Sequence, residues 1–233
     1  MSQEAPLFYD SHGKEIDISK SEHDEQVLAF KYVPKNSCGV LELGSRYGTV
    51  SYVISNNVQH RPVVISIDPD PTVWKVFEEN VVRNNIQVFF VPGVISRKRK
   101  ALIHMEYGSY TIDIDKAQEE LERAQQLMDS DAAKGWITPY KVRLNTDFVC
   151  MTLEEVMEKT GISKFDTLVA DCEGFLEEFL DENPKLYESL KVILYEADGG
   201  GRSNYETVEK NLTSHGFRHE VKGFQNVWLK ESV

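Results

Sequence analysis

Two spacings of apolar residues alternate along this chain. Short apolar runs occur at 38–44, 62–68, 86–93, 165–171 and 191–198, with Val-Leu-Glu-Leu at 40–43 and Val-Ile-Leu-Tyr at 192–195 among them. Runs this short, rich in β-branched residues, predict strands buried on both faces. Between them, apolar residues recur every three or four positions, which predicts helices with one buried stripe. Residues 49–57 and 174–184 fit this pattern. So do 71–85, where Pro71 opens the helix and Val73, Phe77 and Val81 share a stripe, and 204–216, closed by Gly216. Upstream, 21–34 reads as a helix with Ser21 as N-cap, Asp24 three residues on, Val27, Leu28 and Phe30 as apolar positions, and Pro34 at its end. Residues 1–20 read as an arm or short hairpin. The segments 217–223 and 226–230 read as an antiparallel pair.

Five strand–helix alternations followed by a hairpin predict an α/β fold: a doubly wound, mostly parallel, Rossmann-like sheet with an antiparallel C-terminal strand. The expectation is a single domain over 1–233, with an N-terminal arm and helix over 1–36. A long excursion over 97–145 interrupts the alternation. Its middle is helical, with Ala117, Leu121, Ala124 and Met128 on one stripe. A further helix follows, capped at Thr152 with Glu155 in the capping-box position.

Composition narrows the function. The formal charge is −12, which disfavours a nucleic-acid track. Cys38, Cys150 and Cys172 are too few and too scattered for a disulfide framework or a zinc cluster. The N-terminus lacks a basic-then-apolar leader, and no apolar run approaches the roughly 18 residues of a membrane span. A soluble cytoplasmic protein is expected, or a domain of a longer one. The densest positive run, Ser96-Arg-Lys-Arg-Lys100, reads as a solvated turn, with contact to an anionic acceptor as its functional alternative.

Doubly wound sheets bind ligands beyond the carboxyl ends of their strands. The first such end is Glu42-Leu43-Gly44-Ser45-Arg46-Tyr47-Gly48. A dinucleotide fingerprint needs a middle glycine so that a pyrophosphate can approach the backbone. Arg46 stands near that place. Glu42 would repel a phosphate but suits an ammonium or sulfonium group. Asp68 ends the next strand about twenty residues on, where an acid grips ribose hydroxyls. A ligand with a ribose and cationic groups but no phosphate is S-adenosylmethionine. A nicotinamide-dependent oxidoreductase and a non-catalytic cofactor-binding module are the alternatives.

The order of these features resembles class I methyltransferases, and more narrowly the FkbM-type family of S-adenosylmethionine-dependent O-methyltransferases. The resembling pieces are 41–51, 65–71, 94–100, 152–180 and 192–198, with Asp171-Cys-Glu-Gly174 the most specific. The chain departs from that pattern at Leu176, where the family often has an acid, at Arg46 and Tyr47, and in the excursion, which has no clear counterpart. The resemblance implies methyl transfer from S-adenosylmethionine to a hydroxyl, with a sugar or glycan as the acceptor and the 97–145 insertion near it. On this reading the cofactor contacts are Glu42, Gly44, Ser45, Arg46, Tyr47, Gly48, Asp68, Pro69, Gly93, Val94 and Asp171. Deprotonating an alcohol calls for a general base. Asp171 is the first candidate, with Glu173 orienting the acceptor or the base, and Glu196 is the second. Asp198 reads as a turn residue before Gly199–Gly201, and His104 as a strand residue. Trp136 and Tyr140 are candidates for stacking on a sugar face. Four carboxylates near one sheet edge also offer hard oxygen donors to a divalent cation, although no spacing fixes a metal site.

Overall fold

The computed structural model describes residues 5–59, 63–105, 108–198 and 202–231; Pro62 and Gly199–Gly201 therefore lie outside the described residues. A small hairpin, β1 (Phe8–Tyr9) and β2 (Glu15–Ile16), precedes α1 (His23–Tyr32). Then β3 (Val40–Leu43), α2 (Thr49–Asn57), β4 (Val64–Asp68), α3 (Pro71–Arg83) and β5 (Phe89–Ile95) alternate. The insertion supplies β6 (Lys100–Met105), β7 (Gly108–Asp113), a 3-10 turn at Ile114–Lys116, α4 (Ala117–Ala133) and β8 (Arg143–Asn145). The alternation resumes with β9 (Val149–Met151), α5 (Leu153–Thr160), β10 (Thr167–Ala170), α6 (Leu176–Glu182), α7 (Leu186–Ser189), β11 (Val192–Glu196) and α8 (Tyr205–Ser214). The chain closes on β12 (Phe217–Val221) and β13 (Gln225–Lys230).

The main sheet has the order β12-β13-β11-β10-β3-β4-β5-β9. From β9 to β11 every pairing is parallel, while β13 runs antiparallel to β11 and β12 antiparallel to β13. This is the Rossmann-like doubly wound sheet that the apolar runs predict. Its β3 is buried throughout because both faces are covered. Leu41 and Leu43 enter a core with Val156 of α5, Phe179 of α6 and Leu212 of α8; Val40 enters a second core with Ala29 of α1 and Ile54 of α2. The chain runs outward from β3 to β5 and returns to β10, so the topological switch point lies between β3 and β10. Their carboxyl ends open the crevice in which such sheets bind ligands.

The first helix differs from expectation. Its N-cap is Glu22, in the left-handed conformation at φ 52°, rather than Ser21. Gln26 and Ala29 are its buried residues, and Val27 and Phe30 are 47% and 67% exposed. Two hydrogen bonds set this phase: the Gln26 amide donates to the carbonyls of Ile18 and Ser21. The capping box at Thr152 and Glu155 forms as expected.

The insertion folds into a three-stranded antiparallel sheet, β7-β6-β8, that its sequence pattern did not reveal. One face, with Ile103 and Tyr110, packs on Ala124 and Met128 of α4. Strand alternation turns Lys100, Leu102, His104, Ser109, Thr111 and Arg143 to the other face. The run 96–100 clasps this sheet to the body. Arg97 pairs with Glu154, Lys98 with Glu178, and buried Lys100 with both Asp113 and Glu178 at 2.6 Å. Among the described residues, no helix is long and apolar enough to cross a membrane.

Candidate active site

A cavity of about 760 Å³ opens where β3, β4, β5 and β10 end. Its floor is Gly44, Arg46 and Tyr47 after β3, Asp68, Pro69 and Asp70 at the end of β4, Gly93 and Val94 on β5, and Asp171, Cys172 and Glu173 after β10. Its roof is the polar face of the small sheet, with His104, Ser109, Thr111 and Arg143, joined by Tyr140. Ser11 and His12, from the β1–β2 loop, also line the cavity.

The floor depends on one glycine. Gly44 has φ 85°, and a Cβ there would stand 1.6 Å from the Asp171 carbonyl oxygen. The turn passes against the backbone that ends β10, so a side chain has no room and the backbone angle favours glycine. Asp68 then fixes the turn. Its Oδ2 accepts from the Arg46 amide at 2.8 Å and its Oδ1 from the Asp70 amide at 2.8 Å. Burial pushes the Asp68 carboxyl up to about 7, against the pull of those two amides.

Glu42 lies behind the turn and does not line the cavity. Its Oε2 accepts from the hydroxyls of Ser51 at 2.6 Å and Ser66 at 2.5 Å. Its Oε1 is buried without a hydrogen-bond partner among the described residues, as is the Ser45 hydroxyl. Burial raises the Glu42 carboxyl to about 7.

Acids gather at the β10 and β11 ends. Glu25 of α1, Asp171 and Glu196 each bring one oxygen within 4.8 Å of the others. Burial, then the charges of Glu25 and Glu196, hold the Asp171 carboxyl well above its ordinary range. Burial and Glu22 bring Glu25 to about 8, and burial and Asp198 bring Glu196 to about 7. Like charges this close favour a proton or a cation between them. The Gln225 amide donates to Glu196 at 2.6 Å and to Glu25 at 3.2 Å, holding two of the three. Glu173 is left-handed at φ 52° and tied by Arg202, whose Nε donates to its carbonyl at 2.8 Å. The Arg202 guanidinium lies 4.0 Å from the Tyr110 ring, so the loop after β11 also reaches the insertion.

Asp70 joins floor to roof. Its Oδ1 accepts from the Thr72 amide at 2.9 Å and the Thr72 hydroxyl at 2.7 Å, which caps α3. Its Oδ2 accepts from Ser109 Oγ at 2.8 Å and lies 3.1 Å from His104 Nδ1. Burial alone would raise this carboxyl, but hydrogen bonds from His104, Thr72 and Ser109 hold it well below the usual carboxylate range.

Of the residues expected from sequence, Gly44, Arg46, Tyr47, Asp68, Pro69, Gly93, Val94, Asp171 and Glu173 line the cavity. Glu42, Ser45, Gly48 and Glu196 do not. Gly48 is the N-cap of α2, and Glu196 lies behind Asp171 in the acidic group. Tyr140 reaches the cavity, while Trp136 is 72% exposed beside Lys134. Asp198 is held inward, with its Oδ2 accepting from the Gly174 amide at 2.8 Å and the Tyr205 hydroxyl at 3.1 Å. Asp70, Ser109, Thr111 and Arg143 were not expected. Asp70-Pro71-Thr72 carries a helix-cap signal, which explains one carboxylate oxygen and hides the work of the other.

No family model matches the chain, and no curated protein matches it either. Several solved structures that it resembles are described as methyltransferases. A precorrin-6y C5,15-methyltransferase from Geobacter metallireducens is 12% identical over 97% of this chain and 94% of that one, at a TM-score of 0.51. The O-methyltransferase TomG from Streptomyces achromogenes, in complex with S-adenosylmethionine, is 11% identical over 93% and 83%, at 0.49. An O-methyltransferase from Bacillus cereus, in complex with S-adenosylhomocysteine, is 12% identical over 92% and 84%, at 0.48. At such identities the likeness is one of fold.

Proposed function

We propose that this chain transfers a methyl group from S-adenosylmethionine to a hydroxyl, as its FkbM-type resemblance implies. One observation carries the reading: Gly44, Asp68 and Asp171, from three strand ends, meet in one cavity whose floor is acidic. S-adenosylmethionine supplies an electrophilic methyl group on a sulfonium and brings an ammonium and a ribose but no phosphate. Asp68 stands where ribose hydroxyls are gripped in such sheets. The Asp171 group, with Glu25 and Glu196 behind it, suits the cationic end. The orphaned Glu42 Oε1 and Ser45 hydroxyl add unspent polar capacity near the turn. The same three carboxylates are also hard donors for a divalent cation, and turnover in chelator separates the two roles.

The cavity volume is within the range of small-molecule sites. The roof side is left for the acceptor. Hydroxyls of Ser109 and Thr111, the Arg143 guanidinium and the Tyr140 ring line it. That mixture of hydrogen-bonding groups and one aromatic face supports a polyhydroxylated small molecule, such as a sugar or a glycan end. Holding the hydroxyl in line with the methyl group would supply much of the rate.

Calorimetric titration is the direct check. Saturable binding of S-adenosylmethionine and S-adenosylhomocysteine, with none of NADH, is expected. No S-adenosylhomocysteine binding would end the reading. Labelled methyl transfer into glycan and small-molecule pools then identifies the acceptor class, and binding without transfer would favour a non-catalytic module.

A further inference from the structure

We infer that His104 is the general base that takes the acceptor hydroxyl's proton, with Asp70 and Ser109 positioning it; this rests on the methyl-transfer reading above. His104 comes from the insertion, and its ring lines the cavity opposite the strand ends. Its Nδ1 lies 2.5 Å from Ser109 Oγ and 3.1 Å from Asp70 Oδ2. Ser109 commits its one hydroxyl proton to Asp70 Oδ2 at 2.8 Å. Toward the imidazole, therefore, Ser109 can only accept, and an ionised carboxylate only accepts. Both neighbours of Nδ1 are acceptors, so the proton belongs on Nδ1 and the lone pair on Nε2. Among the described residues Nε2 has no hydrogen-bond partner.

The carboxylate is itself immobilised, because Thr72 holds its other oxygen through two hydrogen bonds. Charged and titratable groups reach His104 from three directions: Asp70 at the start of α3, Arg143 directly across from it on β8, and Tyr140, whose ring centroid is 6.3 Å away. Only Asp70 stabilises an imidazolium, and it is the one in contact.

In the transfer, the acceptor oxygen forms its bond to the methyl carbon. The sulfur–methyl bond breaks with its electron pair left on sulfur, and the hydroxyl proton moves to Nε2. Asp70 balances the imidazolium until that proton leaves to solvent. The base role passes from Asp171, whose place among Glu25 and Glu196 suits a cation, to a neutral imidazole on the opposite wall.

The test uses 15N-labelled full-length protein with S-adenosylhomocysteine as the probe, and compares wild type with His104→Gln and Asp70→Asn. Asparagine keeps a capping side chain on α3, so the second variant is spared the fold. Imidazole 15N shifts should show the Nδ1–H tautomer at His104, and Asp70→Asn, whose amide can donate toward Nδ1, should raise the share of the Nε2–H tautomer. Tritiated methyl incorporation into the small-molecule fraction of a cell extract, followed from pH 5.5 to 9, gives the second readout. His104→Gln should lower it about 100-fold at neutral pH, with S-adenosylhomocysteine affinity within about threefold of wild type. Asp70→Asn should lower incorporation about tenfold, with S-adenosylhomocysteine affinity again within about threefold of wild type. An Nε2–H tautomer in wild type overturns the assignment, as does His104→Gln with unchanged incorporation and pH profile. Failure of wild type to bind S-adenosylhomocysteine overturns the methyl-transfer reading instead.

Discussion

Asp68 and Asp70 stand two residues apart on the floor of one cavity, and both have little exposed surface, at 5% and 8%. Yet burial drives the first up to about 7, while the second is held well below the ordinary range. The difference lies in depth of enclosure and in donors. Asp68 receives two backbone amides. Asp70 receives an amide and two hydroxyls, and meets an imidazole besides. Asp68 is the more deeply enclosed, so burial outweighs its two amides, while the hydrogen bonds to Asp70 outweigh its smaller burial cost. Asp68 is engaged by the floor's own backbone alone, whereas Asp70 is an anion engaged also by Ser109 and His104 of the roof.

The largest way to break this comparison is to attack the floor's backbone. Gly44→Val puts a branched side chain at φ 85° and a Cβ 1.6 Å from the Asp171 carbonyl, a backbone atom that cannot step aside. The expected loss exceeds about 4 kcal/mol in urea unfolding, together with loss of S-adenosylhomocysteine binding. Gly108 is the counterpart on the roof. A Cβ there meets Glu173 Oε1 at 2.8 Å, the end of a flexible side chain. Gly108→Ala should cost under about 1 kcal/mol. Equal losses in the two variants would show that the floor is no more rigid than the roof.

The second test sets Glu42, buried behind the floor, against Asp70 by pH. The folded Glu42 carboxyl is raised to about 7, so the native state holds a proton that the unfolded chain has released. Its contribution is fully present below the unfolded carboxylate range and is lost as pH rises through about 7, up to roughly 3 kcal/mol. Glu42→Gln removes that titration. Urea midpoints of wild type should fall between pH 5 and 8, and those of Glu42→Gln should fall less. Asp70 acts with the opposite sign: its folded value is lowered, so its contribution is lost only as pH drops below the ordinary carboxylate range. Parallel pH curves for wild type and Glu42→Gln would sink the account of Glu42.

Why one wall was legible in the sequence and the other was not follows from how each is made. Strands such as Val192–Glu196 announce themselves by continuous apolar runs, and Gly44 and Asp68 sit where those runs stop. Asp171-Cys-Glu-Gly174 was legible for the same reason. The roof's strands mix charged and hydroxyl residues with apolar ones, as in Lys100–Met105 and Gly108–Asp113, and their chemistry arises from register. Ser109, His104 and Arg143 form one row only because β7 and β8 pair with β6 at those positions. Nothing local in His-Met-Glu-Tyr-Gly-Ser specifies that row. In the positive run at 96–100, Arg97, Lys98 and Arg99 are exposed at a bend as read, while the burial of Lys100 was not legible, because its partners Asp113 and Glu178 lie on another strand and far along the chain. Glu42 was legible in the strand, but its surroundings were not. Strand alternation turns it away from the cavity, into Ser51 and Ser66.

The smallest test asks whether floor and roof unfold together, as the single domain expected over 1–233 requires. Thr152 caps α5 just after β9 brings the chain back from the insertion to the main sheet. Its Oγ1 accepts from the Glu155 amide at 3.2 Å, and Glu155 Oε2 accepts from the Thr152 amide at 2.7 Å. Thr152→Ala should cost about 1 kcal/mol. Hydrogen exchange read by mass spectrometry over 40–70 and 100–145 reports the floor and the roof separately. In one cooperative unit, the slowest amides of both segments lose that same amount, because both exchange through global unfolding. If the roof opens on its own, its protection stays unchanged while the floor's falls. The ion pair of buried Lys100 on β6 with Glu178 of α6 favours the first outcome, since opening the roof alone would break it and leave the Glu178 carboxylate on the body without that partner.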